Sequence, residues 1–290
     1  MTLVVNGKSK EEVEEILDTV LTPYKTGLTK AKDIRTMTVV PDQDALTSFG
    51  QRLNIAVVGA NGRIGAAIAG LLATNPNVSK VFRLMRDPYY SGASETRILL
   101  DLENEKTIRD AAAAVACAAE SLHLVIVATG VLHDGQSLQP EKSWNALTDS
   151  ALERAFRINA TGPALVAKHF LPLLAVNRKT AFAALSARVG SIQENRLGGW
   201  YAYRASKAAL NMLIKSLSIE LARKRPRALC IGLHPGTVDT PLSKPFQHNV
   251  PEGTLFTPNQ AAGNILRVLD SLKPEDTGNQ FAWDGCQVPA

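Results

Sequence analysis

The sequence is poor in cysteine and has no long apolar run. Its three cysteines, Cys117, Cys230 and Cys286, form neither a CxxC pair nor an even-numbered framework, which fits a reducing compartment where thiols serve as small core residues. No stretch approaches the ~20 consecutive apolar residues of a transmembrane helix. The first residues are too acidic for a signal or transit peptide. We therefore expect a cytoplasmic protein with no membrane partner.

Metal-ligand spacings and hydrolase motifs are also missing. The five histidines never fall at a metal-ligand spacing, so we expect no metal site. The sequence contains neither a Gly-x-Ser-x-Gly elbow nor a phosphate loop ending in Gly-Lys-Ser/Thr, which argues against the main hydrolase and nucleotidase classes. Basic residues exceed acidic ones by only 32 to 27, and the densest basic run, 223–227, ends a helical pattern. We expect no nucleic-acid partner.

Short apolar runs alternate with helical patterns from residue 54 onward. The predicted strands are 55–58, 81–85, 97–100, 122–128, 181–185, 228–233 and 280–283. The predicted helices are 64–72, 107–120, 148–174, 203–223 and 259–272. Near-continuous apolar strands separated by helices indicate a parallel sheet covered on both faces. We predict a single α/β domain over residues 53–290, with a doubly wound Rossmann-type sheet.

Residues 1–52 are predicted to form an N-terminal extension. Residues 9–12 have the form of a capping box, and apolar residues then recur at helical spacing as far as Pro23. Residues 34–40 read as a strand that Pro41 stops. We find no chemistry in this arm and expect it to pack on the domain or on a neighbouring subunit.

A glycine-rich turn joins the first predicted strand to the first helix, which is the context that a dinucleotide fingerprint requires. Its glycines permit a tight turn and a close approach of the backbone to a pyrophosphate, and the helix N-terminus offers free N–H groups and a positive dipole. We therefore predict a cofactor site. The predicted contacts in this turn are Gly59, Asn61, Gly62, Arg63, Ile64 and Gly65.

The end of the second strand should select the dinucleotide, because the adenosine ribose lies there. Arg86, together with Arg63, favours NADP(H), since a guanidinium pairs with a 2′-phosphate in bidentate fashion. Asp87 keeps NAD(H) open, because a register error of one residue would reverse the assignment. Asp101, which ends the third strand, is placed at the adenine amine, and its neighbour Leu102 is included with it.

Two further loops fall at the carboxyl edge of the predicted sheet. Ala128, Thr129 and Gly130 follow the fourth strand, where small residues let a cofactor lie flat against the sheet. Residues 234–240 follow the sixth strand and bring Thr240 to the nicotinamide carboxamide. The predicted contacts in that second loop are Pro235, Gly236, Val238 and Thr240.

Tyr203 and Lys207 lie four residues apart in a helical pattern, so their side chains share one helix face, ~6 Å apart along the axis. A phenol has an ordinary pKa of ~10, and a unit positive charge at ~6 Å and an effective dielectric of ~20 favours phenolate by ~3 kcal/mol, or ~2 pK units. We expect a tyrosine that exchanges protons near neutrality. The pair alone is weak evidence and gains weight from the glycine turn upstream.

In order and spacing these motifs resemble the short-chain dehydrogenase/reductases, within them the carbonyl-reductase-like branch that includes the sniffer and C-factor types. The resemblance covers about residues 53 to 288 and implies NADP(H)-dependent reduction of a small aldehyde or ketone. It implies that Tyr203 is the general acid, that Lys207 lowers the pKa of Tyr203 and holds the nicotinamide ribose, and that Asn159 anchors a water relay to the lysine. It also implies a homodimer or homotetramer paired through the helices of Asn159 and Tyr203.

The catalytic serine is where the sequence departs from the family pattern. The family's usual double serine stands here as Ser186-Ala187, so the position that is commonly catalytic is occupied by alanine. Ser186 is preferred over Ser191, because it ends the strand whereas Ser191 lies in the following loop.

Two alternatives stay open beside the reductase. C-factor resemblance allows a non-catalytic NAD(P)-binding signalling or scaffold protein. The Gly-x-x-Gly-x-x-Gly turn is similar to that of epimerase-like members, although a nucleotide-sugar epimerase needs a substrate domain for which little chain remains beyond Lys207. The substrate is unnamed, and the predicted lid at about residues 243–257 has few polar groups, which suggests an apolar one.

Overall fold

The structure is a computed structural model that describes residues 45–88, 96–135 and 138–290. The helix and strand predicted within residues 9–40 lie outside the described residues. Within them, the strands are β1 (Leu53–Val58), β2 (Val78–Met85), β3 (Thr96–Leu99), β4 (Leu124–Val127), β5 (Thr180–Leu185), β6 (Ala228–His234), β7 (Thr237–Val238), β8 (Leu255–Phe256), β9 (Gln280–Ala282) and β10 (Gln287–Val288). The helices are α1 (Arg63–Ala73), α2 (Glu105–Ala118), α3 (Asp149–Phe156), α4 (Gly162–Phe170), α5 (Tyr201–Lys224) and α6 (Pro258–Ser271).

The main sheet has the strand order β10-β9-β6-β5-β4-β1-β2-β3. Its strands are parallel except for β10, which pairs antiparallel with β9. Strand β1 pairs with β2 on one side and with β4 on the other, so the order reverses at β1. A ligand crevice is expected outside the carboxyl ends of strands at such a switch point. The predicted doubly wound parallel sheet is confirmed.

Two apolar layers cover the sheet. Ile55 and Val57 of β1 belong to the layer shared with α1 and α6. Ala56 and Val58 belong to the opposite layer, which holds buried residues of α2, α4 and α5. Because successive side chains of a strand point to opposite faces, a strand buried on both faces is apolar at every position. This is why the central strands read as continuous apolar runs in the sequence.

The long helix predicted over 148–174 is wrong as a single element. Helix α3 is followed by a π-helical turn, Arg157–Thr161, and only then by α4. The turn includes Asn159, whose side chain is fully buried, and wider turns of this kind often occur at functional sites. Periodicity alone does not reveal the interruption, because apolar residues recur at helical spacing on both sides of it.

Residues 45–50, within the predicted N-terminal extension, contribute to the α1/α6 layer. Leu46 and Phe49 are buried there. The backbone N–H of Ser48 donates to Asp270 Oδ1 at 2.8 Å, and Lys179 Nζ donates to Ser48 Oγ at 2.7 Å. These contacts fix the segment that leads into β1 against the end of α6.

Gly190, in the loop after β5, lies directly against Lys207 of α5. A Cβ added there would meet Lys207 Cβ at 2.8 Å and the Lys207 carbonyl carbon at 3.0 Å. We expect Gly190→Ala to lower the free energy of unfolding by ~1–3 kcal/mol, because overpacking forces the backbone to shift. Chemical denaturation measures this change.

Gly263→Ala in α6 is the matched control, because a Cβ there meets nothing within 4 Å. We expect that variant to be as stable as the parent or up to ~1 kcal/mol more stable. Equal stability of the two variants would contradict the close packing at Gly190.

Candidate active site

A cleft of about 360 Å³ lies at the carboxyl ends of β1 to β4, where the strand order predicts one. Nine of the predicted cofactor contacts line it together. They are Gly59, Asn61, Gly62, Arg86, Asp101, Leu102, Ala128, Thr129 and Gly130. Arg63, Ile64 and Gly65 form the first turn of α1 and are not among the residues that line the cleft. The structure therefore brings the predicted contacts that follow β1, β2, β3 and β4 together in one cavity.

The glycine turn packs tightly on the end of β4. Gly59 has φ +81°, and a Cβ there would lie 2.7 Å from Thr129 Cγ2 and 2.9 Å from the Ala128 carbonyl oxygen. Gly62 precedes α1, whose N-terminus has no side-chain cap, so its first N–H groups need an outside partner. Thr129 Oγ1 is buried and has no hydrogen-bond partner in the described structure. A glycine cradle, free helix N–H groups and an unpartnered hydroxyl fit a dinucleotide.

The cleft is lined at the ends of β2 and β3 by both basic and acidic side chains. Arg86 and Asp101 line it from β2 and β3, and Asp101 Oδ1 accepts from the Glu103 N–H at 3.0 Å. Arg154 of α3 also lines it and lies 3.9 Å from Glu103 Oε1 and 4.0 Å from Asp134 Oδ2. Sequence reasoning missed Arg154 and Asp134, since an exposed arginine on an amphipathic helix carries no local signal of a binding role.

Lys207 is the most constrained group of the predicted site. Its side chain is only 2% exposed, its Nζ donates to the Leu185 carbonyl oxygen at 2.8 Å, and Nζ lies 5.9 Å from the centre of the Tyr203 ring. Burial lowers the pKa of Lys207 to about 8. The ammonium is therefore held between a carbonyl oxygen and the Tyr203 ring, with little solvation.

The pKa of Tyr203 moves opposite to the expected direction. Although the residue is partly exposed, the surrounding protein desolvates the side chain and raises its pKa to about 12. The sequence-based expectation counted the charge of Lys207 and omitted desolvation, which here outweighs it. At neutral pH the phenol is protonated, which is the form that a proton donor requires.

Asn159 connects the cleft to this pair. Its Oδ1 accepts from the Val131 N–H at 2.8 Å, and its Nδ2 donates to the Val131 carbonyl oxygen at 2.9 Å and to Ser206 Oγ at 3.1 Å. A Cβ added to Gly130 would lie 3.5 Å from both Asn159 Oδ1 and Lys207 Nζ. Gly130 is thus the place where the cleft meets Asn159 and Lys207.

Neither candidate serine is hydrogen-bonded to Tyr203 among the described contacts. Ser186 Oγ donates to Asn211 Oδ1 at 2.7 Å, one helical turn beyond Lys207. Ser191 Oγ donates to the Ala290 carbonyl oxygen at 3.3 Å and accepts from the Glu194 N–H. Asn211, which sequence reasoning missed, is the partner of the preferred serine.

The loop after β6 lies beyond the residues that line the cleft. Gly236, with φ +79°, packs on the ring pair Phe256 and Trp283, because a Cβ there would lie 2.7 Å from Phe256 Cε2. Pro235 precedes it and is buried. Val238 lies in the short ladder of β7 with β8, and the Thr240 N–H donates to Ser243 Oγ at 3.3 Å.

An aromatic wall stands beside Tyr203. The Trp200 ring lies 6.3 Å from the Tyr203 ring and 4.8 Å from the Phe246 ring, and His133 lies 5.8 Å from Phe246. Trp200 has φ +50° and follows two glycines with φ +64°, a costly backbone conformation for a large residue. Phe246 belongs to the predicted lid, part of which forms a short 3₁₀ segment, Lys244–Asn249, and part of which is β8.

Glu141 supplies the cap that α5 lacks locally. Its side chain is 4% exposed, and its Oε2 accepts from the Ala202 N–H at 3.3 Å in the first turn of the helix. Its backbone carbonyl accepts from the Trp200 N–H. A carboxylate at a helix N-terminus also complements the helix dipole. Sequence reasoning missed this residue, because the cap comes from a distant loop.

Within the described residues, no helix has the length and apolar character needed to span a membrane. The same residues hold no cluster of three or more histidine, cysteine or acidic side chains suited to a metal ion.

Comparisons with known proteins agree with this geometry. A family model described as short chain dehydrogenase matches residues 53–251. C-signal of Myxococcus xanthus is 41% identical over 150 residues, which cover 50% of this chain and 84% of that protein.

Two solved structures extend the likeness. An NADPH-bound carbonyl reductase from chicken fatty liver is 26% identical with a TM-score of 0.71, over 83% of this chain and 95% of that one. The carbonyl reductase Sniffer of Drosophila melanogaster has the same TM-score of 0.71 at 23% identity, over 83% of this chain and 100% of that one, and supports the fold.

The cap at Glu141 yields a stability prediction. We expect Glu141→Ala to lower the free energy of unfolding by ~1–2 kcal/mol, because a buried N–H of α5 loses its acceptor. Chemical denaturation of both proteins measures the difference. Glu153→Ala, at an exposed position of α3, is the control and should change stability by less than ~0.5 kcal/mol. A similar loss in both variants would show that Glu141 is not a cap.

Proposed function

Because this chain belongs to the short-chain dehydrogenase family, we propose that it is an NADP(H)-dependent reductase of an aldehyde or ketone. The observation that carries the proposal is the buried Lys207 ammonium, held beside Tyr203 and against Gly130 at the edge of the cleft. Such a pair would supply a proton donor next to a cavity whose lining residues suit a dinucleotide.

The cofactor proposal rests on the lining of the cleft. Gly59, Gly62 and Thr129 would hold the phosphates and nicotinamide half, and Asp101 would hold the adenine. Arg86 lines the cleft whereas Asp87 lies outside its lining residues, which supports NADP(H), because a guanidinium pairs with a 2′-phosphate. The chicken carbonyl reductase is itself described as NADPH-bound. When bound, the cofactor supplies the hydride.

Tyr203 holds the proton that the substrate oxygen receives. With its pKa raised to about 12, it stays protonated at neutral pH and gives up its proton only to a strongly basic oxygen, such as the alkoxide that forms during carbonyl reduction. The Lys207 ammonium, 5.9 Å from the ring, then stabilises the phenolate that remains. Asn159 fixes the chain at Val131, so that Gly130 keeps its place between the cleft and the lysine.

The aromatic wall supports an apolar substrate. Trp200 and Phe246 present ring surface beside Tyr203, and large rings contribute binding area at a low entropic cost. The left-handed backbone conformation of Trp200 is energetically unfavourable, and such conformations occur most often at functional sites.

A second candidate is a non-catalytic NAD(P)-binding signalling or scaffold protein. Two observations favour it, the 41% identity to C-signal and the engagement of both candidate serines with partners other than Tyr203. Assaying a panel of aldehydes and ketones with NADPH and with NADH distinguishes the reductase from the scaffold protein. Binding of NADPH without oxidation by any member of a broad panel would support the scaffold.

We also propose a homo-oligomer formed through the helices that hold Asn159 and Tyr203, as the membership of the short-chain dehydrogenase family suggests.

Tyr203→Phe tests the proposed proton donor. We expect the variant to bind NADPH with the parent's affinity, measured by fluorescence titration, and to lose carbonyl-dependent NADPH oxidation by at least ~100-fold, because only the donated proton is removed. Tyr201→Phe, two residues earlier on α5, is the control and should keep near-parent turnover. Near-normal oxidation by Tyr203→Phe would refute the assignment.

The pH dependence of turnover tests Lys207. Its pKa of about 8 means that the ammonium is present below that pH and is lost as the pH rises through it. We therefore expect kcat for reduction to fall across pH 7–9 at saturating substrate and cofactor, because the phenolate loses its neighbouring charge. Lys207→Met should be slow at every pH and lack this descending limb. A limb that persists in Lys207→Met would assign the titration to another group.

A further inference from the structure

A second cavity of about 240 Å³ lies between α5 and the β6–β9–β10 edge of the sheet. It shares no lining residue with the cleft at the strand ends. Its volume is somewhat below the ~300–1,000 Å³ of typical small-molecule sites, so it suits a small ligand.

Gly232 of β6 opens the inner end of this cavity. A Cβ built on it would point between Gln280 Cγ and Ile214 Cδ1, 3.4 Å from each, and lie 3.6 Å from Asn211 Oδ1. These three neighbours all line the cavity. The missing side chain therefore leaves space beside the polar groups of Asn211 and Gln280.

Gln280 brings an unpartnered donor to the wall of the cavity. Its side chain is 6% exposed, and its Oε1 accepts from Asn211 Nδ2 at 2.7 Å. Its Nε2 is buried and has no hydrogen-bond partner in the described structure. A buried amide N–H without an acceptor destabilises the protein, so an oxygen at this place would be stabilising.

The lining of the cavity also includes a cation. Lys215 of α5 is exposed and lines the cavity, and its Nζ lies 3.3 Å from a Cβ built on Gly278. Gln280 lines the same cavity as Lys215. Among the described residues that line the cavity, no side chain is acidic. The backbone oxygen of Ala290, which also lines it, accepts from the Gln193 N–H at 2.9 Å.

The mouth of the cavity is apolar. Ile192 and Met212 line it and are 76% and 65% exposed, and Val288 of β10 lines it from the sheet edge. Apolar rims of this kind bind alkyl or ring groups through the area they remove from water.

We propose that this cavity binds a small amphipathic carboxylate. The carboxylate accepts from Gln280 Nε2 and pairs with Lys215, while the alkyl part covers Ile192, Met212 and Val288. The anion is favoured over a cation by Lys215, and over a neutral apolar molecule by the unpartnered amide.

Sodium octanoate is the test ligand, added to the full-length protein with NADPH present so that the cleft is not available to it. We expect saturable 1:1 binding by isothermal titration calorimetry. Octan-1-ol and octylammonium should bind at least tenfold more weakly, because they lack the acceptor charge. Equal binding of octan-1-ol would overturn the proposal.

Two variants locate the site. Gly232→Ala places a methyl group at ordinary contact distance in the inner end and should weaken octanoate binding at least tenfold. Lys215→Met should do the same by removing the charge. Lys224→Met, at an exposed position of the same helix, is the control and should bind like the parent, as should Trp200→Ala in the aromatic wall.

The same variants distinguish the proposed cavity from any other octanoate site on the protein. Binding that survives both Gly232→Ala and Lys215→Met would place octanoate elsewhere and overturn the proposal, as would loss only in Trp200→Ala. Should Gly232→Ala fail to fold, as judged by thermal unfolding, Lys215→Met against Lys224→Met decides alone. None of these measurements depends on catalysis, so they remain valid if the proposed reductase activity fails.

Discussion

A single buried ammonium constrains the centre of this structure. Lys207 Nζ has lost most of its water, and the carbonyl oxygen of Leu185 at 2.8 Å replaces part of it. The loop after β5 packs so closely on the Cβ and carbonyl carbon of Lys207 that position 190 has room only for glycine. The end of β4 reaches the ammonium at Gly130, where an added Cβ would lie 3.5 Å from Nζ. The loops after β4 and β5 thus enclose Lys207 from two sides.

The same arrangement decides the chemical character of Tyr203. A nearby cation and a desolvating environment act in opposite directions on a phenol. Here desolvation is the stronger, and the pKa of Tyr203 rises to about 12. A phenol of this kind is a weak acid and stays protonated at neutral pH.

Much of the architecture was predictable because burial on both faces leaves a direct trace in the sequence. The run before Gly59 and the glycines that follow it predicted β1, the turn and α1, and the residues at the ends of β1 to β4 indeed share one cleft. The pKa of Tyr203, the hydrogen-bond partners of Ser186 and the cap from Glu141 were not predictable, because each depends on a residue that is distant in sequence or on the depth of burial. The π-helical turn escaped prediction because apolar residues recur at helical spacing on both sides of it.

The π-helical turn separates α3 from α4, so that each helix has its own rotation about its axis. Helix α3 contacts α5, whereas α4 contacts both α2 and α5. The wide turn lets α4 present apolar residues to α2 while Asn159 points inward. Loss of one residue from the turn would therefore rotate one helix by about 100° relative to the other. Sequence alignments of this region should accordingly allow a gap at the turn.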